Sequence, residues 1–298
     1  MRVLALCASI PCLLAAQNAP DAREIVRRSI ELDQKNEAIA RNYTFLERNE
    51  TRMLDRSGKP KKPPESRTFD VTLLEGSPYR RLVARDDRPL PPQEERKEQE
   101  KLRRSIDERS KEAPAERQRR IAEWDHKQQR QREPLKELPD AFDFRLAGEE
   151  MLNGRDAYVI AATPKPGYKP KLAADAYFPK LKGKLWIDKR DNEWVKAEIE
   201  TLDTIAFGGI LVRLASGSRV TFEETRVNDE VWLPKRISVS LSARLMLVAG
   251  TRAEIEIAFS NFRKFQADSR LVPQTQYRIP KLDASYQGTA SAVPPTVS

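Results

Sequence analysis

The chain has 298 residues, a formal charge of +9 and only two cysteines, Cys7 and Cys12. A chain of this length buries a sizeable core without disulfide staples. With both cysteines near the start, the remainder can hold neither a disulfide nor a thiolate metal site, and its basic balance points to an anionic partner.

The first residues read MRVLALCASIPCLLAAQ. Arg2 is a short positive region, Val3 to Leu14 is an apolar run too short to span a bilayer as a helix, and Leu14-Ala15-Ala16 is a small-residue cleavage site. The expectation is a signal peptide over 1–16, cut after Ala16, with export to the periplasm or cell envelope. Neither cysteine stands where lipoprotein acylation needs one. No later apolar stretch is long enough for a membrane helix. Export makes anionic membrane head groups or surface polymers better partners than nucleic acid, and no nucleic-acid partner is expected.

Residues 21–41 form the first expected element, a helix. Pro20 and Asp21 suit its start, and Ile25, Val26, Ile30, Leu32 and Ile39 make a loose apolar stripe. Strands follow at Tyr43 to about Leu54, Thr68 to Leu74 and Tyr79 to Ala84, with turns at 57–60 and Gly76-Ser77-Pro78. From about Pro92 to Glu133 the composition changes to charged residues and Gln, with Leu102, Ile106, Ile121 and Trp124 nearly the only large apolar side chains. So little apolar surface makes no core of its own. Pro114 marks a new helix start, so the segment reads as two helices, about 93–112 and 114–133, inserted between strands. The single histidine, His126, lies here among Lys, Gln and Arg and reads as a surface residue.

After Pro139 the period-two pattern resumes. Asn153-Gly154 is the strongest hairpin signal, because both central positions of a type I′ turn need positive φ. It joins strands at about 142–151 and 156–163. A second hairpin joins 183–188 to 194–200, where Val195, Ala197 and Ile199 alternate with Lys196, Glu198 and Glu200, as a sheet with one wet face requires. A third turns at Asn228-Asp229, between 218–227 and 231–247, and a last strand runs from Thr251 to Phe265. Residues 204–215 lean toward a short helix or loop-helix. The tail, 266–298, is rich in Pro, Ser, Thr and Ala and reads as flexible.

The expected fold class is mainly β (α+β). About eleven antiparallel strands form a meander that curls into a half-open barrel, with an N-terminal helix as lid and a charged helical insertion at 92–133. An amphipathic helix (AREIVRRSIELDQ), the run GKLWIDKRDNEWVKAEIE and the closing VNDEVWLPKRISVSLSARLML together resemble the periplasmic lipoprotein-carrier superfamily of LolA, LolB and RseB-like proteins. The resemblance implies one LolA-like β domain over 17–265 and a cavity that holds acyl chains of a lipid or lipoprotein. The insertion and the chain length depart from that pattern, and no ligand-contacting residue of the family maps onto a position here.

No Ser-His-Asp set, Gly-rich phosphate loop, GxSxG or HExxH is present. Glu149-Glu150 and Glu223-Glu224 are adjacent in strands and point to opposite faces. No enzyme activity, cofactor or metal is therefore expected. The candidate ligand-cavity residues are Val195, Ala197, Ile199, Val239, Leu241, Leu245, Ile255, Ile257 and Phe259. A basic, aromatic loop offers Lys165, Tyr168, Lys169, Lys171, Tyr177, Phe178, Lys180 and Lys182 as a lid or membrane-touching segment, since rings suit head-group depth and ammoniums meet phosphates. The alternative is an envelope interaction module that docks a partner through the helical insertion and this loop, with no ligand cavity.

Overall fold

The structure is a computed structural model that describes residues 20–265 apart from 56, 174, 208–211 and 246–250. The expected signal peptide, 1–16, and the tail, 266–298, lie outside the described residues. Every described strand belongs to one open antiparallel sheet, so the expected fold class holds.

The chain begins with helix α1, Ala22–Ala40, whose N-cap Asp21 accepts a hydrogen bond from the Arg23 amide at 2.9 Å. Ile25, Val26 and Ile30 form its buried stripe, while Ile39 is exposed. Strands β1 (Tyr43–Leu54), β2 (Glu65–Leu74), β3 (Ser77–Arg85) and the two-residue β4 (Arg88–Pro89) then run as hairpins. Helices α2 (Pro92–Ser110) and α3 (Pro114–Arg132) follow, each with proline in its first turn. A 3-10 turn at Glu133–Glu137 and the short α4 (Leu138–Ala141) lead into β5 (Phe142–Leu152), β6 (Arg155–Pro164), β7 (Leu181–Asp188) and β8 (Trp194–Thr201). The last strands are β9 (Ile205–Phe207), β10 (Val212–Leu214), β11 (Arg219–Val227), β12 (Val231–Leu245) and β13 (Thr251–Lys264).

Tight turns carry the hairpins. Asn153 and Gly154 have φ of 51° and 78°, and Asn228 and Asp229 of 51° and 54°, the double left-handed geometry of type I′ turns.

Two expectations need correction. Residues 204–215 hold the short strands β9 and β10 rather than a helix; their β-branched and aromatic residues pair antiparallel, and β10 also pairs with β12. The sheet is also not a simple meander. Its order is β4-β3-β2-β1-β13-β12-β11-β8-β7-β6-β5, so β1 pairs with the last strand, Asn49 opposite Ile257. β4 and β5 are therefore the two edges of the open sheet. The α2–α3 arm is the connection between those edges.

The main core lies where α1 crosses β6, β7 and β8. Ala22, Ile25, Val26 and Ile30 pack on Ile160, Leu185, Ile187 and Ala197. Asn36 ties the same helix to β12: its Oδ1 accepts the Trp232 amide at 2.8 Å and its Nδ2 donates to the Trp232 carbonyl at 2.7 Å. Both groups are buried, so the pair substitutes for a strand partner at that point.

Candidate functional site

Directly opposed residues of antiparallel strands share a face. Ala197, Phe222, Ile237 and Ile257 stand opposite one another across β8, β11, β12 and β13. Ala197 and Phe222 pack into the α1 core, which places this row on the face that α1 covers. The neighbouring row on the same face is Ile199, Val220, Val239 and Ile255, followed by Leu241 opposite Ala253. Ala197 is buried, yet Ile199 is 36% exposed. Val220, Val239, Leu241, Ile255, Ile257 and Phe259 are half-buried. An apolar surface thus runs out from beneath α1 across four strands. Phe259 closes one side, its ring edge-on to Phe45 at 5.4 Å between centroids.

The structure brings together seven of the nine expected cavity residues. Val195 is the exception with a physical cause. The register of β7 and β8 shifts so that Trp194 opposes Ile187 and Lys196 opposes Trp186, which leaves Val195 as the extra residue of a β-bulge. It packs with Ala157, Trp186 and Trp232 in a cluster separate from that of Ala197, which corrects the expectation that Val195 shares a face with Ala197 and Ile199. Leu245 ends β12 in register with Val212; its side chain lies outside what the structure describes.

The opposite face is polar. Glu50, Glu256, Ser238, Thr221 and Glu198 oppose one another across β1, β13, β12, β11 and β8. A shallow groove of about 320 Å³ there is lined by Glu50, Glu254, Glu256, Arg52 and Arg219 among others.

The basic loop is built inward. Asp175 is fully buried and accepts hydrogen bonds from the Lys171 and Leu172 amides and the Tyr168 hydroxyl, at 3.0 to 3.1 Å. Burial pushes its carboxyl up, but these donors outweigh that and hold it below the ordinary carboxylate range. Burial and the Asp175 carboxylate push Tyr168 up to about 12. Tyr168 and Phe178 pack with Ala141, Phe142 and Ala162. Lys165 donates to the Pro139 carbonyl, Lys171 pairs with Glu137, Lys180 with Asp203 and Lys182 with Glu200. The loop spends most of its rings and ammoniums on the protein itself. Tyr177 and Lys169 complete the expected set; Tyr177 is half-buried and Lys169 exposed.

The arm is fastened at both ends. At the β2–β3 turn, Arg109 donates to the Leu74 carbonyl at 2.9 Å and Arg120 to the Glu75 carbonyl at 3.0 Å. At α1, the Arg41 guanidinium lies over the Trp124 ring at 5.3 Å and pairs with Asp125. His126 is exposed, as expected.

One group of residues escaped the sequence reading. Arg132, the last residue of α3, pairs with Asp33 and with Glu37 of α1, the latter at 2.5 Å. Glu193, the residue before β8, and Glu224 of β11 feel the charges of this pair. Burial, then Asp33 and Asp191, pushes Glu193 up to about 8 against the opposing pull of Arg132. Burial, Asp33 and Glu193 push Glu224 up to about 8 in the same way. Burial also raises Glu37. These carboxylates come from separate segments; Glu223-Glu224 was the visible signal, and its two side chains read as pointing to opposite faces.

No protein-family model matches the sequence, and no curated protein matches it. Solved structures do. An outer membrane lipoprotein-sorting protein domain from Vibrio parahaemolyticus is 13% identical, with 83% of this chain and 95% of that chain covered at a TM-score of 0.32. A LolA superfamily protein from Nitrosomonas europaea is 14% identical, with 83% and 94% covered at 0.25. A Pseudomonas aeruginosa MucA/MucB complex contains a chain 12% identical, with 83% and 100% covered at 0.23. At these scores the likeness carries no functional argument, so function rests on the geometry of this chain.

Proposed function

We propose that the protein is an exported component of the cell envelope that binds a hydrophobic ligand, the acyl chain of a lipid or lipoprotein, as a carrier or sensor. The ligand lies along Ile199, Val220, Val239, Leu241 and Ile255. The observation that carries this reading is the exposed continuation of the core row. α1 covers the Ala197 end of the face, yet Ile199 beside it stands 36% exposed. Ile199 is exposed and Val220, Val239, Leu241 and Ile255 are only partly buried, and each Å² of such apolar surface that a guest removes from water gains about 25 cal/mol.

The interaction-module alternative has less support. The loop lysines that would meet a membrane or partner are mostly engaged within the protein. The test is uptake of a fluorescent fatty acid by purified protein. Val239→Glu and Ile255→Glu place charge in the row and abolish uptake, while Val195→Glu, on the separate cluster, does not act through the row. Equal uptake by the wild type and the Val239 and Ile255 variants overturns the reading.

A further inference from the structure

The open apolar row has a polar border on one side. Three strand spacings, about 14 Å, carry it from Ile199 on β8 to Ile255 on β13. Beyond β13 the facing residue is Thr51 on β1, and beyond that Glu65 on β2. Asn49, two residues before Thr51 and on the same face, stands opposite Arg67 of β2. Met53, two residues after it, stands opposite Ala253 and so continues the Leu241–Ala253 row. The chain then folds back beside β1. The Asp55 amide donates to the Lys59 carbonyl and the Lys61 amide to the Met53 carbonyl, both at 2.8 Å, with Pro60 opposite Leu54. That register puts Lys61 opposite Met53, at the end of this row.

Thr51, Lys61 and Arg67 are all exposed, and among the described residues their side chains make no hydrogen bond or ion pair. The neighbouring charges are already engaged: Glu65 pairs with Lys62, and Arg85, opposite Arg67, pairs with Glu94. Lys61, Lys62 and Arg67 against the single Glu65 leave the border positive. Four residues of β1, about 13 Å, separate the partners of Arg67 and Lys61, with Thr51 midway, so two long cationic side chains flank one hydroxyl. A guanidinium offers paired N–H donors to a carboxylate or phosphate, an ammonium offers three and the hydroxyl one. At its other side the row meets Gly183 of β7 and then Ala162 of β6, which carry no charge. The cations therefore stand at one end of the row.

We infer that Thr51, Lys61 and Arg67 bind the anionic head group, carboxylate or phosphate, of an amphiphile whose chain lies along the Ile199–Val220–Val239–Ile255 row. This deepens the proposed function and rests on it for the chain. The row holds the chain by burial, and the border fixes which end of the guest lies over β1 and β2. Because the cations are exposed, salt screens the head-group contribution and leaves that of the chain in place.

The test compares dodecanoate, dodecyl phosphate, dodecanol and dodecylammonium, each below its micelle-forming concentration and solubility limit, by calorimetry at pH 7.5 in low salt. Dodecanoate and dodecyl phosphate are expected to bind about ten-fold tighter than dodecanol, the effect of one charge-assisted hydrogen bond, and dodecylammonium weakest. A gain confined to one of the two anions assigns the head group to that anion. Lys61→Gln with Arg67→Gln brings the anions to parity with dodecanol and leaves dodecanol binding unchanged, which also shows that the variant is folded. Lys97→Gln with Arg104→Gln, which removes the same two charges from exposed positions on α2, keeps the gain. Equal binding of anions and alcohol by the wild type, or a gain that changes equally in both double variants, overturns the head-group site and leaves the apolar row standing. Binding of none of the four overturns both.

Discussion

Ile121 of α3 rests directly on Gly76 of the β2–β3 turn: a methyl group added at Gly76 would lie 2.7 Å from the Ile121 Cδ1. Gly76 also has φ of +84°, a conformation that costs a residue with a side chain about 1 kcal/mol. The turn and the arm are thus matched in two independent ways.

Gly76→Ala is expected to destabilise the protein by about 2 kcal/mol, from the backbone term plus displacement of Ile121. Ile121→Ala added to it recovers the contact part and leaves the backbone part. Chemical denaturation of the two single variants and the double variant measures both. Additive losses would show that the arm does not press on the turn.

At the other end of the arm, Arg132→Ala leaves Asp33 and Glu37 facing each other without their cation. Arg132 is itself partly exposed, so screening reduces the effect to about 1–2 kcal/mol. The loss is expected to be local: hydrogen exchange speeds up in α3 and the second half of α1, and stays unchanged in β6 and β7. Uniform acceleration would place Arg132 in the global core instead.

The same cluster sets a pH dependence. Glu193 and Glu224 are held up to about 8 in the folded protein, so the folded state keeps protons that the unfolded chain releases in the ordinary carboxylate range. Their protonation stabilises fully below that range, and the benefit is lost as pH rises to about 8. Unfolding free energy should therefore fall as pH rises over that interval. Glu193→Gln with Glu224→Gln removes most of this slope. A double variant with the wild-type slope would show that other groups carry it.

Asn36→Ala removes both hydrogen bonds to Trp232 and leaves the buried backbone amide and carbonyl of that residue unpaired. The expected loss is about 2–3 kcal/mol. Asn36→Asp restores the acceptor but not the donor and should fall between. An alanine variant as stable as wild type would mean that α1 is held by its apolar stripe alone.

The elements themselves were legible because each carries a local signal. Asp21 caps α1, Pro114 starts α3, and Asn153-Gly154 fixes the hairpin of β5 and β6. What was not legible depends on segments distant in the chain. The pairing of β1 with β13 leaves no local mark, and from it follows that the arm joins the two edges of the sheet. The bulge at Val195 interrupts an alternation that looks regular in sequence. β9 and β10 are three residues each, too short for periodicity to separate strand from helix. The group of carboxylates around Arg132 draws on α1, the residue before β8, β11 and the end of α3, so no stretch of sequence displays it.

The account stands most directly on native mass spectrometry of the full-length protein purified gently from a membrane-containing extract. It predicts an adduct with the mass of a single lipid or acylated species, absent from Val239→Glu protein prepared alongside. Spectra showing only bare polypeptide for both, with no fatty acid taken up on addition, would contradict it.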